Sequence, residues 1–199
     1  MNADELLSFE EHIAAIFNRG EIPYPVHLAS GNENSLIDVF KEVREEDWIF
    51  GAWRLHSHAL LKGVPPAALE AAIRRGESMA LRFEKERVYG SAIAGGTIPI
   101  ALGAAQAIKM YGRLEMVWLF VGDMMAKSGI YHESMQYAYN FNLPITFVIE
   151  DNGMSVCTDT REAWGTDKPI TCNYQPPRVI HYHYRSKWPH CGAGQRVQF

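Results

Sequence analysis

Residues Glu115–Gly153, EMVWLFVGDMMAKSGIYHESMQYAYNFNLPITFVIEDNG, carry the reading that decides the fold. Two short, uninterrupted apolar runs, EMVWLFV and PITFVIE, are rich in Val, Ile and aromatic side chains. A strand buried on both faces reads this way, because both alternating sets of side chains must be apolar. Between them SGIYHESMQYAYNFN has helical periodicity, with Ser128 placed to cap and Tyr131, Met135 and Ala138 on one face. Strand, helix, strand at this spacing predicts a βαβ unit with a right-handed crossover. The expected class is α/β, a parallel sheet with helices on both faces.

Working outward, the half before this unit reads mostly as helix. In DELLSFEEHIAAIFNRG, Leu6, Phe9, Ile13 and Ile16/Phe17 recur at helical spacing, with Asp4 as cap and Gly20 as stop. Asn34-Ser35 marks a second start, and PPAALEAAIRRG a third helix with prolines in its first turn and Gly76 at its end. GSAIAGGTIPIALGAAQAIKMYG predicts a fourth, capped by Thr97, with Pro99 in the first turn and Gly112 as stop. Its many small residues let a backbone or ligand approach closely. After Glu150 the chain turns polar until RVIHYHYR offers one more alternating strand. His181, His183, His190 and Cys191 lack the spacing of a zinc site and read as part of that strand and its end.

The chain has 199 residues, enough for a substantial core, and is read as one domain with an N-terminal helical segment, 1–50. A hydrophobic content of 47% with 21% charged residues is that of a soluble globular protein. A net charge of -4 argues against nucleic acid or an anionic membrane as the main partner. The acidic, amphipathic opening is neither a secretory signal nor a transit peptide. Cys157, Cys172 and Cys191, without CxxC spacing, suit reduced thiols, so a cytoplasmic location is expected.

In open α/β sheets, ligands bind beyond the carboxyl ends of the strands. The two apolar runs end at Gly122-Asp123 and at Glu150-Asp151-Asn152-Gly153, so they deliver Asp123 and Asn152 to one edge. Singly, Asp and Asn are ordinary turn formers at strand ends. Together, a carboxylate and an amide oxygen make a hard donor pair suited to Mg²⁺ that keeps water and phosphate as its other ligands. An ordinary turn, a metal–phosphate site and the remnant of one are the three readings of VGDMM.

From Pro23 to about Asn152 the sequence resembles the alpha subunit of thiamine-diphosphate-dependent decarboxylases of 2-oxo acid dehydrogenase complexes. That family's cofactor motif runs Gly-Asp-Gly, a helix, then Asn-Asn; here it stands as GDMMAKSGIYHESMQYAYNFNLPITFVIEDNG, with the Asp123-to-Asn152 spacing preserved. PVHLASGNE, EEDWIFGAWRLHSHALLKGV and AGGTIPIALGAAQAIK match upstream, in order. The resemblance implies a diphosphate-binding fold with thiamine diphosphate and Mg²⁺ as cofactors. It makes Asp123, Asn152 and the Met154 carbonyl metal ligands, and gives Gly122, Met124 and Met125 backbone N–H groups facing the diphosphate. It sets Arg54 on the diphosphate with Trp53 beside it, the Ala92–Ala94 backbone against the aminopyrimidine, and Val156 as the buttress of the bent cofactor. His27 and His56 match histidines that orient substrate or shuttle protons; His58 is a weaker candidate of the same kind, and Glu133 reads as a helix residue or one lying behind the site.

The family's activating glutamate comes from a separate beta subunit, so the resemblance implies half of an active site, completed by a beta-like partner in an alpha2beta2 heterotetramer. The activity implied is decarboxylation of a small-molecule 2-oxo acid with transfer of the aldehyde unit to an acceptor. Ketol transfer from a ketose, as in split transketolases, and a non-catalytic scaffold are the alternatives. Two departures bear on this: Met124 stands where glycine is usual, and Asp151 replaces the first asparagine of Asn-Asn. No counterpart of the family's regulatory loop is present in TREAWGTDKPITCNYQPPRV, which fits a short, split form.

Overall fold

The computed structural model describes residues 1–165 and 178–196. In chain order these form α1 (Ala3–Asn18), α2 (Glu33–Phe40), β1 (Trp48–Gly51), α3 (His56–Leu61), α4 (Pro66–Arg74), β2 (Arg82–Phe83) and β3 (Val88–Gly90). There follow α5 (Thr97–Met110), β4 (Val117–Gly122), a 3-10 turn at Met125–Lys127, α6 (Gly129–Asn140) and β5 (Ile145–Asp151). The short pieces β6 (Met154–Ser155), β7 (Thr158–Asp159) and α7 (Thr160–Trp164) precede β8 (Val179–His183). By contacts the chain groups into two compact units interleaved in sequence.

The unit formed by Glu46–Ala52 and Ile93–Tyr184 contains the parallel strands β1, β4, β5 and β8, side by side in that order. The expected βαβ unit is present. β4 and β5 run parallel from Val117↔Ile145 to Gly122↔Glu150, with Ser128 capping α6 between them through the Tyr131 N–H. Val117 to Val121 are all buried, and so are Ile145 to Ile149, which is why neither run alternates. Tyr131, Met135 and Ala138 are the buried face of α6, and α5 packs on α6, β1 and β4. Asp47 ties the entry of β1 to that of β4. Its fully buried carboxylate accepts the Met116 N–H at 2.8 Å and the Trp118 indole N–H at 3.1 Å.

The other unit, Met1–Glu45, Trp53–Ala92 and Arg185–Phe199, contains α1 to α4, which pack on one another with Leu6, Ile13, Ile16, Phe17 and Leu69 buried, and the antiparallel β2–β3 pair. The cap of α1 is Asn2 rather than Asp4. Asn2 accepts from the Glu5 N–H while the Glu5 carboxylate accepts from the Asn2 N–H, a reciprocal box that leaves Asp4 in the first turn. Gly31, at φ +86°, is required where it stands, because a Cβ there would lie 2.1 Å from the Arg185 carbonyl oxygen. Neither Cys157 nor Cys191 is in a disulfide, and Cys172 lies outside the described residues. Among the described residues no helix is long and apolar enough to cross a membrane.

Candidate functional site

At the carboxyl edge of the parallel sheet, β4 delivers Asp123 and β5 delivers Asp151 and Asn152. Asp123 is only 4% exposed, and its Oδ2 is buried without a hydrogen-bond partner. Burial pushes its carboxyl above the ordinary range and the Asp151 carboxylate adds to this, against the opposing Thr160 hydroxyl and Arg161. Thr160 Oγ1 is itself buried without a hydrogen bond of good geometry, so it only partly compensates the carboxylate. A buried, charged oxygen with an unfilled lone pair is costly unless a cation completes it. Open space surrounds the position a Cβ would take at Gly122, just before this carboxylate.

Asn152 closes a local turn, its Oδ1 accepting the Met154 N–H at 3.0 Å, which leaves the amide oxygen a second lone pair. Met154 is exposed, and so is Val156. Val156 has φ +58°, unusual for a β-branched residue, and such strain gathers at ligand-binding turns. The Met124 departure has a simple local explanation. Its φ of -63° is ordinary helical geometry, so this turn does not require glycine. Trp164 donates its indole N–H to Met124 Sδ at 2.9 Å. Met125 opens the 3-10 turn and presses on Gly95, where a Cβ would meet its methyl at 2.9 Å. Asp151 faces basic neighbours, His181 and His183. Ala92 and Ala94 are exposed.

A second cluster belongs to the helical unit. Trp53 and His27 have ring centroids 5.8 Å apart, and the His190 ring stands edge-on to His27 at 4.7 Å. Arg54 donates from Nη2 to the His190 carbonyl at 3.1 Å, while Arg54 Nε and His27 Nδ1 are buried without partners. Burial, then the Arg54 charge, then His190 and His56 hold His27 down at about 3. Burial and Arg54 lower His190 as well. The cluster therefore pairs one fixed cation with neutral imidazoles, a surface suited to an anion. His56 lies apart from this role: it is fully buried, with Nδ1 3.1 Å from Glu10 Oε2 and Nε2 2.9 Å from Ser78 Oγ. Both its ring nitrogens are engaged inside the core. Sequence reasoning missed His190 and Thr160; the first is brought in from 136 residues away, and the second is an ordinary helix-start threonine.

Residues 1–175 match the dehydrogenase E1 component family. The chain belongs to that family. Its members are thiamine-diphosphate-dependent 2-oxo acid dehydrogenase components, and the match includes the Asp123–Asn152 segment. Among curated relatives, the alpha subunit of acetoin:2,6-dichlorophenolindophenol oxidoreductase from Cupriavidus necator is 34% identical over 75% of this chain and 48% of its own length. Its Bacillus subtilis counterpart is 29% identical over 82% of this chain and 52% of its own. The pyruvate dehydrogenase E1 component subunit alpha of Porphyra purpurea is 31% identical over 75% and 48%. The chain thus spans about half the length of the relatives it matches.

Proposed function

We propose that this chain is the cofactor-holding, alpha-like half of an enzyme that decarboxylates a 2-oxo acid and passes the aldehyde unit to an acceptor. The observation that carries the reading is Asp123: a buried carboxylate with an unpartnered oxygen, at the carboxyl edge of a parallel sheet, one strand away from Asn152. That donor set fits Mg²⁺, which prefers oxygen ligands and keeps water or phosphate in its shell. Asp123, the Asn152 amide oxygen and the Met154 carbonyl would hold the ion, and the Gly122, Met124 and Met125 N–H groups would face a diphosphate. Thiamine diphosphate, when bound, supplies the carbanion-stabilising chemistry.

The protein's own residues do the remaining work. Val156 stands at the turn beside the proposed metal ligands, its backbone at φ +58° and its side chain exposed toward the place a cofactor would take. In the helical unit, Arg54 supplies a fixed charge for an anionic group, and the His27 ring of the same cluster stays neutral beside it. The beta-like partner, with its glutamate, and an alpha2beta2 assembly belong to the same reading.

The test is calorimetry with thiamine diphosphate and Mg²⁺, on the chain alone and co-purified with the product of a neighbouring beta-like gene. Saturable binding by the pair, lost in Asp123→Ala, is expected, with 2-oxo acid turnover by the pair only. Full turnover by the isolated chain rules out the half-site, and absence of cofactor binding by the pair favours a scaffold subunit. Turnover of ketose donors without decarboxylation identifies ketol transfer.

A further inference from the structure

β8 is an edge strand, paired with β5 so that Ile149 aligns with His181 and Asp151 with His183. His181 and His183 are two residues apart, so they share one face of the strand. Their ring centroids are 4.6 Å apart. Both rings meet the same carboxylate oxygen: Asp151 Oδ2 is 3.1 Å from His181 Nε2 and 3.0 Å from His183 Nδ1. The three donor atoms lie within 4.8 Å of one another.

Two imidazoles and a carboxylate converging on one point match the ligand preference of zinc and its first-row neighbours. Around a tetrahedral ion with bonds of about 2.0–2.1 Å, adjacent donors stand roughly 3.3 Å apart, so the Asp–His distances need to widen only by a few tenths of an ångström. The carboxylate is already oriented, because its other oxygen accepts the Gly153 N–H at 2.9 Å. Its backbone is fixed too, with the Tyr184 N–H donating to the Asp151 carbonyl at 2.9 Å. Outer hydrogen bonds of this kind hold a ligand in place for a metal. The histidine side chains are 33% and 67% exposed against 10% for Asp151, so the site has an anchored floor and an entry path from solvent.

We propose that Asp151, His181 and His183 bind one zinc-class divalent ion, which clamps the edge strand β8 to β5. Its donors are distinct from Asp123 and Asn152, since magnesium takes oxygen ligands and this set is mainly imidazole. The inference does not rest on the proposed function. Local sequence spacing does not reveal the site, because its carboxylate comes from the neighbouring strand. A ligand that binds the folded chain and not the unfolded one stabilises it by mass action, so occupation should raise the unfolding temperature.

The experiment titrates the metal-stripped full chain with Zn²⁺ by calorimetry and follows Co²⁺ by visible absorption. One saturable site per chain and a rise in the thermal midpoint are expected. His181→Gln/His183→Gln should weaken binding by at least the ~100-fold that outer-shell losses can reach, and should abolish the Co²⁺ bands. Asp123→Asn should bind zinc as the parent does. The proposal is overturned if the parent shows no saturable zinc site, if the double variant binds undiminished, or if Asp123→Asn alone removes binding. Should the double variant fail to fold, the single change at exposed His183 decides by the same criterion, with ~10-fold weakening as its threshold.

Discussion

Arg54 and His190 are joined by a hydrogen bond from Nη2 to the His190 carbonyl at 3.1 Å, although 136 residues separate them. The bond brings the guanidinium beside two imidazoles, since the His190 ring stands 4.7 Å from that of His27. Burial disfavours the charged imidazolium first, and a permanent cation in the same confined space adds to that. Both histidines are accordingly held neutral.

His27 should therefore remain uncharged well into acid. Its folded value of about 3 lies below the ordinary 6.5, so between these values the folded chain binds fewer protons than the unfolded one. The stability this contributes is complete above pH 6.5 and is lost as pH falls toward 3. We expect the His27 ring to read as neutral by NMR at pH 5, and Arg54→Gln to move its titration upward. His27→Gln should reduce the acid loss of stability by on the order of 2 kcal/mol. A His27 titration near 6.5 in the parent contradicts the assignment.

The βαβ core was legible because its burial is one-dimensional information. Val117–Val121 are apolar throughout, Ile145–Ile149 are apolar but for the buried Thr146, and Ser128 caps α6 through contacts only three residues long. The same locality misled at two helix starts. Asn2 took the capping role assigned to Asp4, and Thr97 is the first helical residue after the Gly96 cap. β1 was lost inside a helical half because four residues, Trp48–Gly51, carry too little periodicity, and β2 and β3 are shorter still. Asp123 and Asn152 were legible as a pair once two parallel strands were recognised. His190 beside Arg54, and Asp151 beneath two histidines of another strand, are products of tertiary pairing with no local signature.

Asp47 should be among the most sensitive positions outside the candidate site. Its two carboxylate oxygens serve the Met116 N–H and the Trp118 indole, both at the entry of β4. Asp47→Ala leaves both donors without this acceptor in a buried place and should cost about 2–4 kcal/mol in urea unfolding. Asp47→Asn keeps one acceptor oxygen and should cost less. Equal stability of the alanine variant and the parent would show that the carboxylate does not hold β1 to β4.

Met124 should behave as a residue suited to its place. At φ -63° it gains nothing from glycine, and its sulfur accepts the Trp164 indole N–H. Met124→Gly should therefore lower stability by about 0.5–1 kcal/mol through backbone entropy, with the lost sulfur contact adding to this. A stabilising Met124→Gly, read from the urea midpoint, would mean that the turn carries strain that glycine relieves.

Asp123 supplies the sharpest contrast between stability and binding. Burial and the Asp151 charge raise its folded pKa above the ordinary carboxylate value, so over that interval the folded chain binds more protons than the unfolded one. The sign is opposite to that of His27: the ionised carboxylate is a liability at neutral pH, and it fades as pH falls through the raised value toward the unfolded one. In the metal-free chain, Asp123→Asn should raise stability at pH 7 by on the order of 1 kcal/mol, a gain that disappears below pH 4. The same substitution should abolish Mg²⁺-dependent binding of thiamine diphosphate, because the neutral amide no longer offers the charge a divalent ion requires. Urea unfolding at the two pH values and calorimetry at pH 7 measure both effects on one variant. A variant less stable than the parent at pH 7 would show that Asp123 is a structural turn former whose charge is already compensated, and would remove the physical basis for the metal site.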